Sequence, residues 1–294
     1  MRRLTDGRFH LGLPAWAFAG WRGRYLPARG PTLAAYGRYF SCVEGNTTFY
    51  SLPAPTLVAR WRQELQTLPP GRDFRFCFKL PRGITHDIGQ PRAAVQRLIE
   101  EFFDRLAPLA PWLGPFMVQF PASVSVADLA VVDALLARLP RDRQYVVEAR
   151  APLLFTPEPA HTWRALLHRH DCARVILDSR PIHGDAPAHP DLAAAPFPKP
   201  NLALLLDEPG ARVVVRLICH PLMSHNLPFM AQWRDVVAAW VTAGTDCFFM
   251  VHCPNDLHSP QLARAFHELI APQLGLPALP PWPTTGGAQQ ALDW

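Results

Sequence analysis

Two short stretches, VVEAR (146–150) and VILDSR (175–180), place an acid and an arginine two residues apart at the end of a β-branched run. A buried strand has no use for an unpaired charge, so each pair must lie at a rim open to water or answer another charge inside. Similar endings recur along the chain: Glu44 and Asn46 in CVEGN, Lys79 after FRFCF, Gln119 in FMVQF, Arg216 in VVVRL and His252 in CFFMVH. Carboxylates beside guanidinium, ammonium, amide and imidazole groups suit proton transfer on a bound anion. In that reading Glu44, Glu148, Asp178 and Lys79 are the candidate catalytic groups, and Gln119, Arg150, Arg180, Arg216 and His252 hold substrate.

The elements that position these residues follow from spacing. Eight runs rich in Val, Ile, Phe and Tyr begin at Phe9, Cys42, Phe74, Phe116, Tyr145, Arg174, Val213 and Cys247, and successive starts lie 29 to 42 residues apart. A strand, a crossover helix and two loops need ~30 residues or more. The intervening segments read as helices over 55–68, 92–106, 127–139, 162–170, 228–243 and 260–270, with Ser125 as a cap, Ser259 as N-cap and Pro260 at the first position of the last. Eight strand–helix units over roughly 260 residues predict an α/β fold, a TIM-type (β/α)8 barrel, rather than an open doubly wound sheet.

Two segments break the rhythm. Residues 181–210 hold seven prolines without a clear amphipathic helix and predict an irregular sixth unit. After Pro272 the composition turns to proline and glycine, which places the domain boundary at 271/272 and makes 272–294 a flexible tail.

In a barrel the C-terminal strand ends form the mouth, where such folds place their chemistry. Residues two apart on a strand share a face, so the alternation Cys42-x-Glu44, Val146-x-Glu148-x-Arg150 and Ile176-x-Asp178-x-Arg180 predicts one inward ring of mixed charge. The acid-x-Arg pairs of strands five and six should then be neighbours. The alternative is a salt-bridge network that merely plugs the barrel top.

Composition bounds the rest. The chain has 294 residues, 49% of them hydrophobic, with a formal charge of +5 and pI near 9.1. That balance permits an acidic partner, nucleic acid included, but shows no run of like charge. Six cysteines without a C-x-x-C or a secretory signal predict free thiols and a cytoplasmic protein. No apolar run is long enough for a membrane span. His86, His183, His220, His225 and His252 follow strand ends, but they show no H-x-H or H-x-x-x-H spacing, so a divalent metal is not favoured. The absence of a Gly-rich phosphate loop, a nucleophile elbow and a dinucleotide fingerprint argues against a nicotinamide cofactor or ATP. Trp16 and Trp21, in LPAWAFAGWRGRYLP, read first as a lid over the core and second as a stacking platform for substrate.

The motifs LPAWAFAGWRGRYLP, CVEGNTTFYSLP, FRFCFKLPRGITH, VQFPAS, VVEAR and VILDSRPIH, in this order, resemble the YecE-like family, a bacterial TIM-barrel family of unknown function. The resemblance implies the barrel, and it marks Glu44, Asn46, Thr48, Lys79, His86, Gln119, Glu148, Arg150, Asp178 and Arg216 as motif positions, which adds Asn46, Thr48 and His86 to the candidates for holding substrate. It implies no reaction. The chain departs from the family after strand seven, where RLICHP replaces an Arg-x-His-Gly, and at strand eight, where VHCP replaces an Asn-Asn pair.

The last six residues, QQALDW, resemble the peptide by which bacterial replication and repair proteins hold the sliding clamp, with Gln289, Leu292 and Trp294 at the matching positions. Three functional classes therefore stand: an enzyme acting on an anionic, phosphate-bearing substrate such as a nucleotide or nucleic acid, a DNA-associated protein recruited to the clamp through its tail, and a glycoside hydrolase using Glu44 and Glu148.

Overall fold

The computed structural model describes residues 7–87, 91–195, 199–206 and 209–283. Eight parallel strands are present: β1 (Phe9–Leu13), β2 (Cys42–Gly45), β3 (Arg75–Phe78), β4 (Phe116–Gln119), β5 (Tyr145–Glu148), β6 (Cys172–Asp178), β7 (Arg212–Ile218) and β8 (Asp246–His252). They run in the order β3-β2-β1-β8-β7-β6-β5-β4. The sheet closes between β3 and β4, where the Leu80 N–H donates to the Met117 carbonyl (3.0 Å) and the Gly114 N–H to that of Phe76 (2.8 Å). The (β/α)8 barrel expected from strand spacing is the fold.

Among the described residues the helices are α1 (Thr32–Gly37), α2 (Thr47–Tyr50), α3 (Pro55–Gln66), α4 (Arg82–Thr85), α5 (Arg92–Leu106), α6 (Leu129–Leu136), α7 (Pro157–Arg169), α8 (Pro190–Ala193), α9 (Met223–Thr242) and α10 (Ser259–Leu274). Proline opens α3 and α7, where its fixed φ and missing N–H cost nothing. Ser125 and Asp128 form a reciprocal capping box ahead of α6. Two helices begin five residues before the positions expected from sequence. Helix α7 starts at Pro157, and α9 starts at Met223 with Pro228 inside it. The first turn of α9 survives that proline because buried Asn226 ties it to the end of β7: its Oδ1 accepts the His220 N–H (2.8 Å) and its Nδ2 donates to the His220 and Leu222 carbonyls. Ser259 is the first residue of α10 rather than its cap, and His258 precedes it.

The crossover between β6 and β7 has no helix longer than α8 among its described residues. It folds back on the mouth instead. Leu202 packs with Leu177 and Ile218, and the Ser179 Oγ donates to the Pro200 carbonyl (2.7 Å).

The expected tail boundary needs correction. Beyond α10 the chain stays on the body at least to Trp282, whose ring packs against Tyr25 and Tyr39 and lies under the Arg264 guanidinium at 4.1 Å. Its indole N–H donates to Gln261 (3.1 Å). Prolines remove backbone donors, but one large aromatic buries enough surface to fix the segment. Gln289, Leu292 and Trp294 lie outside the described residues.

Inside the barrel, Cys42, Cys77, Met117, Val146, Val175, Val214, Phe248 and Met250 form a separate apolar layer. The next inward position on each strand therefore faces the mouth. On β1 it is Gly12 that lies level with Cys42 and Met250, and a Cβ there would meet the Cys42 carbonyl oxygen at 2.4 Å.

Candidate active site at the barrel mouth

The inward upper layer brings together Glu44 from β2, Lys79 just past β3, Gln119 from β4, Glu148 from β5, Arg216 from β7 and His252 from β8, each 6% exposed or less. Arg216 is the hub. Its Nε and Nη2 donate to the two oxygens of Glu44 (2.9 Å each), and its Nη1 donates to Glu148 Oε2 (2.7 Å). Arg150, at the rim, donates its Nε to the other Glu148 oxygen (2.7 Å). His252 Nε2 lies 3.1 Å from Glu44 Oε2, and Lys79 Nζ donates to Gln119 Oε1 (2.9 Å) with Glu44 Oε1 at 3.6 Å.

This geometry sets the ionisation. Burial alone would raise both carboxyls, but Arg216 and its neighbours outweigh it. Glu148 is held at about 2, and Glu44 well below the usual carboxylate range. Burial pushes His252 down to about 4 against the pull of Glu44, so the ring is neutral at pH 7. Burial likewise brings the Lys79 amine down to about 8, with Glu44 opposing. Both glutamates are thus lowered, whereas the general acid of a glycosidase is a carboxyl raised above the ordinary range.

Asp178 is not in this ring. On β6 the inward residues are Val175 and Leu177, so Asp178 faces outward under α9. There its Oδ2 accepts the Trp233 indole N–H (2.8 Å), and both oxygens are held by Arg180 (2.8 and 2.9 Å). Arg180 also donates to Gln232 of α9 (2.9 Å). The expected neighbourhood of the two acid-x-Arg pairs does not form, because the inward parity of β6 runs through 175 and 177, not 176 and 178.

The other sequence candidates hold the walls of the site. Asn46 Nδ2 donates to the Pro14 carbonyl (3.0 Å), and the Thr48 hydroxyl bonds the carbonyls of Gly45 and Lys79 (2.9 and 2.6 Å). His86 sits beside the Phe49 ring, which Lys79 Nζ also approaches at 5.6 Å. Trp16 packs edge-on against Trp61 and Phe76, which makes it a core residue. Buried Trp21 donates its indole N–H to the Asp256 carbonyl (2.7 Å) and so pins the loop after β8. Among the described residues no group of three or more His, Cys, Asp and Glu side chains is arranged to hold a metal. Nor is any described helix long and apolar enough to cross a membrane.

Two mouth residues escaped the pattern reading. Lys199 lies in the irregular crossover, next to pinned Pro200, and its charge is felt at Asp256, His252 and Cys253. Burial and Arg216 depress its ammonium. Asp256, on the loop after β8, is lifted by burial to about 6 against the opposing charge of Lys199. Neither sits at a strand end, so alternation could not find them. A residue count could have, since only two of the 29 basic residues are lysine, Lys79 and Lys199.

An eight-stranded parallel barrel with a buried charged ring at its C-terminal end is the architecture in which TIM-barrel proteins carry their sites. The family description "Protein of unknown function DUF72" matches residues 10–285, and the chain belongs to that family. It is 34% identical to the UPF0759 protein YecE of Escherichia coli K12 over 279 residues, which covers 92% of this chain and 97% of that one. The O157:H7 counterpart is 33% identical over the same length. DUF72 family crystal structures share the fold at 17% identity. That from Enterococcus faecalis V583 has a TM-score of 0.67 and covers 95% of this chain and all of the other. That from Thermotoga maritima MSB8 has a TM-score of 0.65, with 89% and 98% covered.

Proposed function

We propose that the barrel mouth binds a small anionic substrate, of phosphate-bearing type, and moves a proton on it. The supporting observation is the charge balance: Lys79, Arg150, Lys199 and Arg216 stand against Asp256 and two firmly ionised carboxylates, Glu44 and Glu148. Those two are consumed in fixing Arg216. A surplus of cations attracts an anion and holds it by charge-assisted hydrogen bonds.

In this reading Glu44 and Glu148 build the site rather than transfer protons. Asp256, lifted to about 6, is the carboxyl suited to give and take a proton near neutrality. Arg150 and Lys199 contact the anion, and Gln119 orients Lys79. The test is a thermal-shift screen with phosphate, pyrophosphate, nucleotides and sugar phosphates. A rise in melting temperature that shrinks in Arg150→Ala and in Lys199→Ala is expected. If no anion raises the melting temperature, or if both variants respond like the parent, the reading fails.

A further inference from the structure

The chain carries 27 arginines and two lysines, and both lysines are at the mouth. Everywhere else that a positive charge is needed, guanidinium supplies it. Arginine cannot give up its proton in a protein, whereas a desolvated lysine becomes a free amine and a nucleophile. The two positions that keep lysine are thus the two where a removable proton matters, and they share one site.

The surroundings of Lys79 support the same use. Its Nζ is buried, and among the described residues its one close hydrogen bond goes to a neutral acceptor, Gln119 Oε1 at 2.9 Å. The nearer carboxylate oxygen, Glu44 Oε1 at 3.6 Å, already accepts from Arg216. The groups that face it are Glu44 of β2, Glu148 and Arg150 of β5 and Arg216 of β7, and each carboxylate there is matched by a guanidinium. An amine with a value of about 8 is roughly one-tenth neutral at pH 7, against well under a thousandth for an ordinary lysine.

Resting on the reading of the mouth as an anion site, we propose that Lys79 forms a protonated imine with the carbonyl group of an anionic substrate, a 2-oxo acid or a phosphorylated aldehyde or ketone. The amine lone pair adds to the carbonyl carbon, forming the C–N bond, and an N–H proton passes to the oxygen. The resulting carbinolamine takes one more proton from water at the mouth. Its C–O bond breaks, water leaves, and the nitrogen lone pair completes the C=N bond. No oxidant or reductant is needed. The positive iminium then withdraws electrons from the adjacent carbon, which is the purpose of such a lysine, while Lys199 and Arg150 hold the anionic end.

Reductive trapping on the full chain tests this. Protein is treated with sodium borohydride in the presence of pyruvate, glyceraldehyde 3-phosphate or propanal, and the adduct is located by peptide mass mapping. Lys79 should be labelled at least about tenfold faster than Lys199 or the N-terminal amine, Lys79→Arg should abolish the adduct, and Arg180→Ala, outside the ring, should leave it unchanged. No adduct at Lys79, or labelling there no faster than at the other amines, overturns the proposal. The mapping on unaltered protein decides this even where a Lys79 variant folds poorly. The anion reading fails separately: if Lys79 is trapped equally well by propanal and by the two anions, the imine stands and the anion site does not. If anions raise the melting temperature but no adduct forms, the reverse holds.

Discussion

Glu148-Ala-Arg150 on β5 and Asp178-Ser-Arg180 on β6 are the same motif on adjacent strands, yet they lie on opposite sides of the barrel wall. In the first, Glu148 points inward, bonds Arg216 across the barrel and leaves Arg150 at the rim. In the second, Asp178 points outward and joins its own arginine to Trp233 on α9. One pair shapes a site, and the other fastens a helix. The difference is one residue of parity, since a one-residue change of phase exchanges every side chain between the two faces of a sheet.

Removing the hub of the inner pair should have the largest effect. Arg216→Met leaves Glu44 and Glu148 buried without their main partner, and a loss of about 3–5 kcal/mol in urea unfolding is expected. A loss below about 1 kcal/mol would mean that the ring is solvated and that the inner and outer pairs do not differ in kind.

Acid should expose the inner pair next. Glu148 sits at about 2 instead of 4.5, so the unfolded chain takes up its proton first. Its contribution, about 3 kcal/mol, is present above about pH 4.5 and is lost as pH falls through 2. His252 and His10, held neutral down to about 4, act earlier: the unfolded chain protonates them near 6.5, so stability declines from 6.5 to 4. Urea midpoints measured across this range should fall in both stages. Glu148→Gln should flatten the lower one, and an unchanged slope there would contradict the assignment.

The outer pair should matter for packing alone. Asp178→Ala leaves the Trp233 indole N–H and the Arg180 fork without their acceptor, at a cost of about 1–3 kcal/mol, while the response to pyrophosphate stays as in the parent. A lost response would return Asp178 to the mouth.

The smallest effect on stability, and the sharpest contrast, comes from the two arginines. Arg150→Ala and Arg180→Ala should each cost less than about 1 kcal/mol, because both side chains are partly exposed. Calorimetry should nevertheless show pyrophosphate affinity about tenfold weaker in Arg150→Ala and unchanged in Arg180→Ala.

Much of this molecule is legible in its residues. Apolar runs at even spacing specify eight strands and their crossover, and the polar residue closing each run marks Glu44, Lys79, Gln119, Glu148, Arg216 and His252, all six of which meet at the mouth. Both facts are local: period, length and punctuation act on a few neighbouring residues. What only the tertiary structure decided is long-range. The phase of β6 is set by its pairing with β7, where Asp178 lies opposite Leu217 and Val175 opposite Val214, and no pattern within VILDSR states which face is in. Lys199 and Asp256 reach the site through a crossover pinned by Leu202 and a loop pinned by Trp21, contacts of long sequence separation. Trp282 joins the body because Tyr25, Tyr39 and Arg264 converge on it from three parts of the chain. Sequence fixes which residues can carry charge at a strand end, and closure of the barrel fixes which of those charges face each other.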